Sequence, residues 1–274
     1  MNLNGKIVVL TGAGNGMGRE LALLLLNRGA RVAAVDLNAD ALAETAALAG
    51  DVGARLSLHT VNVADREAVA ALPADVAAKH GAIDVLINNA GIIQPFVLVA
   101  DLPMEAIDRV IEVNLMGTIR MTKAFLPHLL ARPQAHICNV SSMGGFLPVP
   151  GQTIYGASKA AVKLFTEGLY SELTDTNVGV TLALPGAMRT NIAGNSGAAE
   201  GIDIAAEADK SPIPMLAPDR AADIIVGAIE RGRRSVFVGK DSAAMDKLYR
   251  MAPAFAARLI YKQMRVLLDR LGGS

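Results

Sequence analysis

Tyr155 and Lys159 stand four residues apart at the head of a segment with helical apolar periodicity: Ala157, Ala160, Ala161, Val162, Leu164 and Phe165. On a helix, residues i and i+4 share one face about 6 Å apart along the axis, so a phenol and an ammonium would lie side by side. A free tyrosine titrates near ~10 and is a poor base at neutral pH. A neighbouring cation favours the phenolate, so Lys159 is expected to draw the Tyr155 pKa toward the working range. Ser141 and Ser142 close an apolar run, Ala135–Val140, with the composition of a buried strand. A strand-end hydroxyl facing a helix-borne tyrosine makes an acid–base pair around a carbonyl or carbinol oxygen. The same spacing also arises by chance, with Tyr155 as an amphipathic core residue and Lys159 as a solvated charge. The rest of the chain decides between the two.

The elements that must position this pair alternate strand and helix. Lys6 to Thr11 is a β-branched run, followed by Gly12-Ala-Gly-Asn-Gly-Met-Gly18 and an apolar helical segment over 19–27. Strand, glycine loop and helix in that order form a phosphate cradle, because glycines admit a pyrophosphate and the helix start offers free N–H groups. The spacing is Thr11-Gly12-x-x-x-Gly16-x-Gly18; a G-x-G-x-x-G count from Gly12 and Gly14 lands on Met17. The second strand, Arg31–Asp36, ends in an acid that can accept both hydroxyls of an adenosine ribose and repel a 2′-phosphate. Leu37 and Asn38 follow without a cation, and Asn15 stands in the loop where a phosphate-binding cation could sit. These features favour NAD over NADP. Asn38, more naturally than Asp36, caps the helix that follows.

A third strand over 55–63 carries His59, read as a strand residue with a local partner, and ends at Asn62 and Val63, with Asn62 near an adenine edge. Asp65 caps a helix to about 79. The fourth strand, 83–91, ends in Asn88 and Asn89, expected to tie strand ends, and in Ala90 and Gly91, which let a cofactor pass closely. One long helix is expected over 104–130 with Asn114 in its middle. Asparagine competes there for backbone bonds, so it marks either a local kink with a bound water or a surface position. The sixth strand, 178–184, leads into Pro185-Gly-Ala-Met-Arg-Thr190; residues 192–217 lose periodicity in the manner of a functional loop. A helix over 219–230 and a strand over 235–239 close the core. The fold class is α/β: a single Rossmann-type doubly wound parallel sheet of about seven strands, helices on both faces, with the ligand at the strands' C-terminal ends.

With 274 residues, 52% of them hydrophobic, the chain can bury one large core. A formal net charge of +0 argues against nucleic-acid binding. The single cysteine, Cys138, reads as a small buried hydrophobe and fits a reducing compartment. No metal-ligand spacing appears, no signal-peptide pattern opens the chain, and the longest apolar runs are too short to span a bilayer. The expected location is cytoplasmic.

At this point the chain resembles a short-chain dehydrogenase/reductase of the short, single-domain branch. The resemblance rests on the glycine motif, Asn88-Asn89-Ala90-Gly91, Asn114, Ser142, Tyr155-x-x-x-Lys159 and Pro185-Gly186, and runs from about Leu3 to Gly239. It implies Tyr155 as acid–base, Ser142 positioning the substrate oxygen, Lys159 lowering the Tyr155 pKa and binding the nicotinamide ribose, and Asn114 holding a water in a relay to Lys159. Thr190 would meet the carboxamide or pyrophosphate. The NAD-contacting set expected from the motifs and the resemblance together is Gly12, Asn15, Gly16, Met17, Gly18, Asp36, Leu37, Asn62, Val63, Asn89, Ala90, Gly91, Tyr155, Lys159, Pro185, Gly186, Met188 and Thr190. Asn62, where an Asp is common, and the extra Gly14 depart from the usual pattern. The implied reaction moves a hydride from a carbinol carbon to NAD⁺ while the Tyr155 phenolate takes the hydroxyl proton, or the reverse.

Ile93, Pro95, Phe96, Phe146, Leu147, Val149, Met188 and the 192–216 loop suggest an apolar secondary alcohol or ketone of steroid, retinoid, terpenoid or fatty-chain type. The alternatives are an NADPH-dependent carbonyl reductase and a non-catalytic nucleotide-binding scaffold; the intact Asn114, Ser142, Tyr155 and Lys159 argue against the scaffold. The resemblance suggests a homodimer or homotetramer. Residues 1–240 read as the catalytic domain and 241–274 as a basic amphipathic extension. From Glu230 onward, ten Lys and Arg face four acids, roughly +6. Ile260, Met264, Leu267 and Leu271 share a helical face opposite Arg258, Lys262, Arg265 and Asp269. That helix packs on its own domain or a sister subunit, or else lies on an anionic membrane.

Overall fold

The computed structural model describes residues 1–190, 192–198 and 215–271. Seven parallel strands form one sheet in the order β3-β2-β1-β4-β5-β6-β7. They are β1 Ile7–Thr11, β2 Arg31–Asp36, β3 Leu56–Thr60, β4 Val85–Asn88, β5 Ala135–Val140, β6 Val178–Pro185 and β7 Ser235–Val238. Every residue of β1, β4 and β5 is buried, as expected of strands covered on both faces, and this explains their unbroken apolar runs. Helices α1 (Gly16–Asn27), α2 (Ala39–Ala49) and α8 (Pro218–Glu230) cover one face, with Leu21, Leu25, Leu42, Ile225 and Ile229 in its core. Helices α3 (Arg66–His80), α5 (Thr118–Leu130) and α6 (Thr153–Glu172) cover the other with Val69, Leu72, Met121, Phe125 and Leu169. Cys138 lies in the first of these cores, and burial pushes its thiol up to about 12.

Local chemistry sets the helix starts. Asn38 accepts a hydrogen bond from Ala41 N–H, and Asp65 accepts from Glu67 and Ala68 N–H. The chain winds outward from β1 to β3 and then returns to pair β4 beside β1. Strand order reverses there, which opens a crevice beyond the strands' C-terminal ends.

Three expectations are corrected. The helix over 104–130 is not continuous: α4 (Met104–Ile111) passes through a π-helical segment, Glu112–Gly117, before α5. Asn114 lies fully buried in that wide turn, where an extra residue is accommodated because its side chain bonds outside the helix. Residues Ile192–Asn195 form a short helix, α7, instead of loop; the expected loop over 199–214 lies outside the described residues. Phe146, Leu147 and Val149 are not among the described residues that line the cavity. They pack against α9 (Lys240–Met251) and α10 (Pro253–Leu271), where Ala256 and Ile260 are buried on Leu147. Apolar residues after Ser142 have two surfaces to choose between, and the C-terminal helices cover these three. The packed face of α10 therefore includes Ile260 and Met264 as the periodicity predicts; Leu267, Asp269 and Leu271 side chains lie outside the description.

Candidate active site

At the strand-order reversal the described residues enclose a cavity of about 670 Å³. One end is built mostly from backbone. Gly12 has φ +67, and a Cβ there would stand 2.9 Å from Asn89 Nδ2; at Gly18 a Cβ would lie 1.8 Å from the Gly12 carbonyl oxygen. The loop thus closes on the start of α1 at a separation only glycine permits. Asn15 caps α1 without a side-chain bond, so the first-turn N–H groups point toward the cavity end that Gly16 and Met17 line. Thr11 Oγ1 accepts from Asn89 and Ala90 N–H at 3.0 Å each, and Asn89 Nδ2 donates to the Thr11 and Gly12 carbonyls. Asn88 Nδ2 donates to Asn139 Oδ1 and Thr122 Oγ1. The two asparagines tie strand ends together, as their place at the end of β4 predicts.

Asp36 borders the same end. Its Oδ2 accepts from Gly14 N–H at 2.9 Å and its Oδ1 from Asn38 N–H at 3.0 Å. Gly14, the unusual glycine, is required by this approach: a Cβ there would fall 2.8 Å from Ala41 Cβ and 3.0 Å from Asp36 Oδ2. The nearby cation, Arg19, is committed elsewhere, to the Gly14 carbonyl, Thr45 Oγ1 and Glu44. Lys159 is the one Lys or Arg among the described residues lining the cavity.

The other end is made of side chains. Ser142 Oγ accepts from Gly144 N–H at 3.0 Å and hydrogen-bonds the Tyr155 phenol. Lys159 is 4% exposed; its Nζ donates to the Val140 carbonyl at 3.0 Å, and Ser141 Oγ donates to the Lys159 carbonyl. A Cβ on Gly91 would lie 3.0 Å from Lys159 Nζ and 3.3 Å from Asn114 Oδ1, so the ammonium and the amide oxygen converge on that glycine. Asn114 itself does not line the cavity. It sits behind the wall, donating to the Ile92 carbonyl and Ser158 Oγ and accepting from Ile92 N–H.

The expected pKa pattern is reversed in the chain alone. Burial raises the Tyr155 phenol above its ordinary value, with the Ser142 hydrogen bond pulling the other way. Burial also lowers Lys159 to about 8. Desolvation disfavours the charged form of each group, the phenolate and the ammonium alike.

Every cofactor-contacting residue expected from sequence lines this one cavity: Gly12 and Asn15 to Gly18, Asp36 and Leu37, Asn62 and Val63, Asn89 to Gly91, Tyr155 and Lys159, Pro185, Gly186, Met188 and Thr190. Ser142 joins them. Val35, Asn38, Val61, Ile92, Val113, Val140, Ser141, Ile192 and Asn195 line it too. Most of these are apolar or strand-end residues that carry no motif. One further residue matters and gives no signal in the sequence. Gln94 is fully buried, and its Oε1 accepts from Ile154 and Tyr155 N–H, capping α6 from 60 and 61 residues away. Gln152 Nε2 in turn donates to the Gln94 carbonyl. Among the described residues, no group of three or more His, Cys, Asp or Glu is placed to hold a metal ion.

A switch-point cavity, a glycine cradle against a helix start, and a serine, tyrosine and lysine at the far end define a Rossmann-type oxidoreductase that takes a nucleotide cofactor. The chain belongs to the short-chain dehydrogenase family, whose sequence profile matches residues 6–201. It is similar to a Mycobacterium tuberculosis protein bearing the name oxidoreductase SadH, at 39% identity over 263 residues, covering 94% of this chain and 95% of that one. A Burkholderia phymatum short-chain dehydrogenase/reductase solved in complex with NAD superposes with a TM-score of 0.83 at 28% identity, over 92% and 95% of the two chains. A Burkholderia cenocepacia short-chain dehydrogenase solved with NADP gives 0.77 at 30% identity, over 95% and 99%.

Proposed function

We propose that this oxidoreductase uses NAD(H) to interconvert an apolar secondary alcohol and its ketone. The observation that carries the coenzyme preference is Asp36: its carboxylate is fixed by Gly14 and Asn38 N–H beside a cavity end where Arg19 is already engaged. An ionised carboxylate there accepts ribose hydroxyls and repels a 2′-phosphate. The NADP complex of the Burkholderia cenocepacia relative favours the second reading, an NADPH-dependent carbonyl reductase. The apolar substrate is supported by the cluster of Ile93, Phe96, Tyr155, Ile192, Ala193 and Ala198, and by the lack of a second cation among the described lining residues.

When bound, the nicotinamide supplies the hydride acceptor or donor. Tyr155 exchanges the proton of the substrate oxygen, and Ser142 fixes that oxygen within reach of the phenol. Lys159, charged below about 8, stabilises the phenolate as it forms and can bind the ribose. Asn114 Oδ1, converging with Lys159 on Gly91, is placed to hold a water that returns protons to the lysine. A panel of apolar alcohols and ketones with each of the four nicotinamide coenzymes, followed by nicotinamide absorbance, tests the reading. Turnover confined to charged hydroxy acids, or higher kcat/KM with NADP(H), would overturn it.

We further infer a cytoplasmic homodimer or homotetramer that can touch anionic membrane. Leu164, on the outward side of the catalytic helix, is 70% exposed and supports a subunit contact there. On α10, Phe255, Arg258, Tyr261 and Lys262 are exposed opposite buried Ala256 and Ile260, an aromatic and basic face suited to lipid headgroups. No helix among the described residues is long and apolar enough to cross a membrane. Light scattering gives the subunit count. Pelleting with anionic against neutral vesicles, for the intact chain and for Phe255→Ser with Lys262→Glu, tests the lipid contact; equal pelleting of both proteins ends it.

A further inference from the structure

The C-terminal helices pack against two segments that adjoin cavity-lining residues. At the first, α9 grips the turn that follows β6. Asp241 Oδ2 accepts from Ala187 N–H at 2.7 Å, and Ser242, fully buried, donates its hydroxyl to the Leu184 carbonyl at 2.8 Å. The carboxylate is nested between two glycines. A Cβ on Gly186 would fall 2.1 Å from Asp241 Oδ2, and one on Gly239, at φ +114, would fall 2.3 Å from Oδ1. No side chain could replace either glycine with Asp241 in place. The turn so held is also bonded to β7, through Gly186 N–H to the Val238 carbonyl, and carries Met188 and Thr190 into the cavity wall. At the second place, Ala256 and Ile260 of α10 bury Leu147, five residues beyond Ser142 in the segment that turns from the serine toward α6.

We propose that α9 is part of the cofactor site, with Asp241 as a positioning residue that sets the Pro185–Thr190 wall for the nicotinamide end of the coenzyme. The inference rests on the nucleotide-cofactor reading above and goes beyond it, because the motifs of the family lie before Lys240 and leave the extension without a role. The physical reason is that an isolated turn after a strand has no partner for Ala187 N–H other than water. A charge-assisted bond from a helix-borne carboxylate is stronger and keeps one geometry. Asp241 does this with an oxygen that has no room to move.

The test is titration of NADH and NADPH, by their own emission in a chain without tryptophan, into the intact protein and into Asp241→Ala, Asp241→Asn, Ser242→Ala and Ile260→Ala. Asp241→Ala is expected to weaken binding of whichever coenzyme the parent prefers about ten-fold or more, the effect of losing a charge-assisted bond. Asp241→Asn keeps an acceptor for Ala187 N–H and should recover most of the loss. Ile260→Ala, which opens a cavity remote from the turn, should lower the melting temperature and leave coenzyme affinity within about two-fold, separating positioning from general loss of stability. If Asp241→Ala does not fold, Ser242→Ala carries the test through the adjoining bond, with weaker binding expected. Unchanged affinity in Asp241→Ala, or in Ser242→Ala where it stands in, would overturn the proposal, as would Asp241→Asn no better than Asp241→Ala. Failure of the parent to bind either coenzyme would instead refute the cofactor reading itself.

Discussion

The two ends of the cavity hold their shape by opposite means. At the phosphate end, side chains are mostly absent: Gly12, Gly14, Gly16 and Gly18 let the backbone come within contact of Asn89, Asp36 and its own next turn. At the catalytic end, Ser142, Tyr155 and Lys159 are side chains drawn from a strand end and a helix, and their place depends on Gln94, Asn114 and the glycines at 91, 144 and 145 behind them. The first end is a local device, complete within a few turns of chain. The second is a long-range assembly, in which each functional group is oriented by residues from elsewhere. Damage at the first should therefore appear in binding and stability, and damage at the second in turnover.

Tyr155→Phe is the sharpest test of that division. Removing the phenolic hydroxyl should reduce kcat about 10²–10⁴-fold while NADH affinity stays near the parent value; comparable losses in both would erase the distinction. Next in size, Asp36→Ser combined with Leu37→Arg replaces a repelling carboxylate with a cation. The ratio of kcat/KM for NADP⁺ over NAD⁺ should rise on the order of 10²-fold. Gly12→Ala forces a side chain into positive φ against Asn89 and should cost roughly 1–3 kcal/mol of stability along with coenzyme affinity. Thermal melting with and without NADH reads both.

Gln94→Leu removes the cap from Ile154 and Tyr155 N–H at a cost of about 0.5–2 kcal/mol. Its mark should be a lower kcat and a shifted pH profile at unchanged NADH affinity, with Gln94→Glu restoring the parent behaviour. Smallest is an acid effect far from the cavity. His59 and His136 are held neutral by burial, each lowered to about 4. Between about 4 and ~6.5 the unfolded chain binds more protons than the folded one, so stability falls as pH drops through that window. From pH 7 to 6 His136 should cost about 0.7 kcal/mol by this linkage and the less enclosed His59 a smaller amount, measurable as a lower denaturation midpoint.

The same division explains how much of the site the sequence alone discloses. The glycine loop, Asp36 at a strand end and the Tyr155–Lys159 spacing are each encoded within a few residues, and the fold gathers them around one cavity. Asn114 is harder to read. A π-helical turn preserves the apolar rhythm of the helix around it, so the sequence shows an ill-placed asparagine and conceals the bulge. Gln94 acts on a helix 60 residues downstream, and no local pattern distinguishes such a cap from a buried amide. Phe146, Leu147 and Val149 mislead for a related reason: apolar composition says that a segment is covered without saying by what. The raised Tyr155 pKa follows from enclosure of the site, which spacing alone does not reveal.

Cys138 sits mid-strand in the sheet, the only sulfhydryl of the chain, with its proton held to about 12. Alkylating reagents need an exposed thiolate, so labelling must wait until the sheet comes apart. Its rate becomes a clock for global opening, readable by mass. A coenzyme that binds only the closed form would slow that clock in proportion to its occupancy, so affinity can be weighed without any turnover at all.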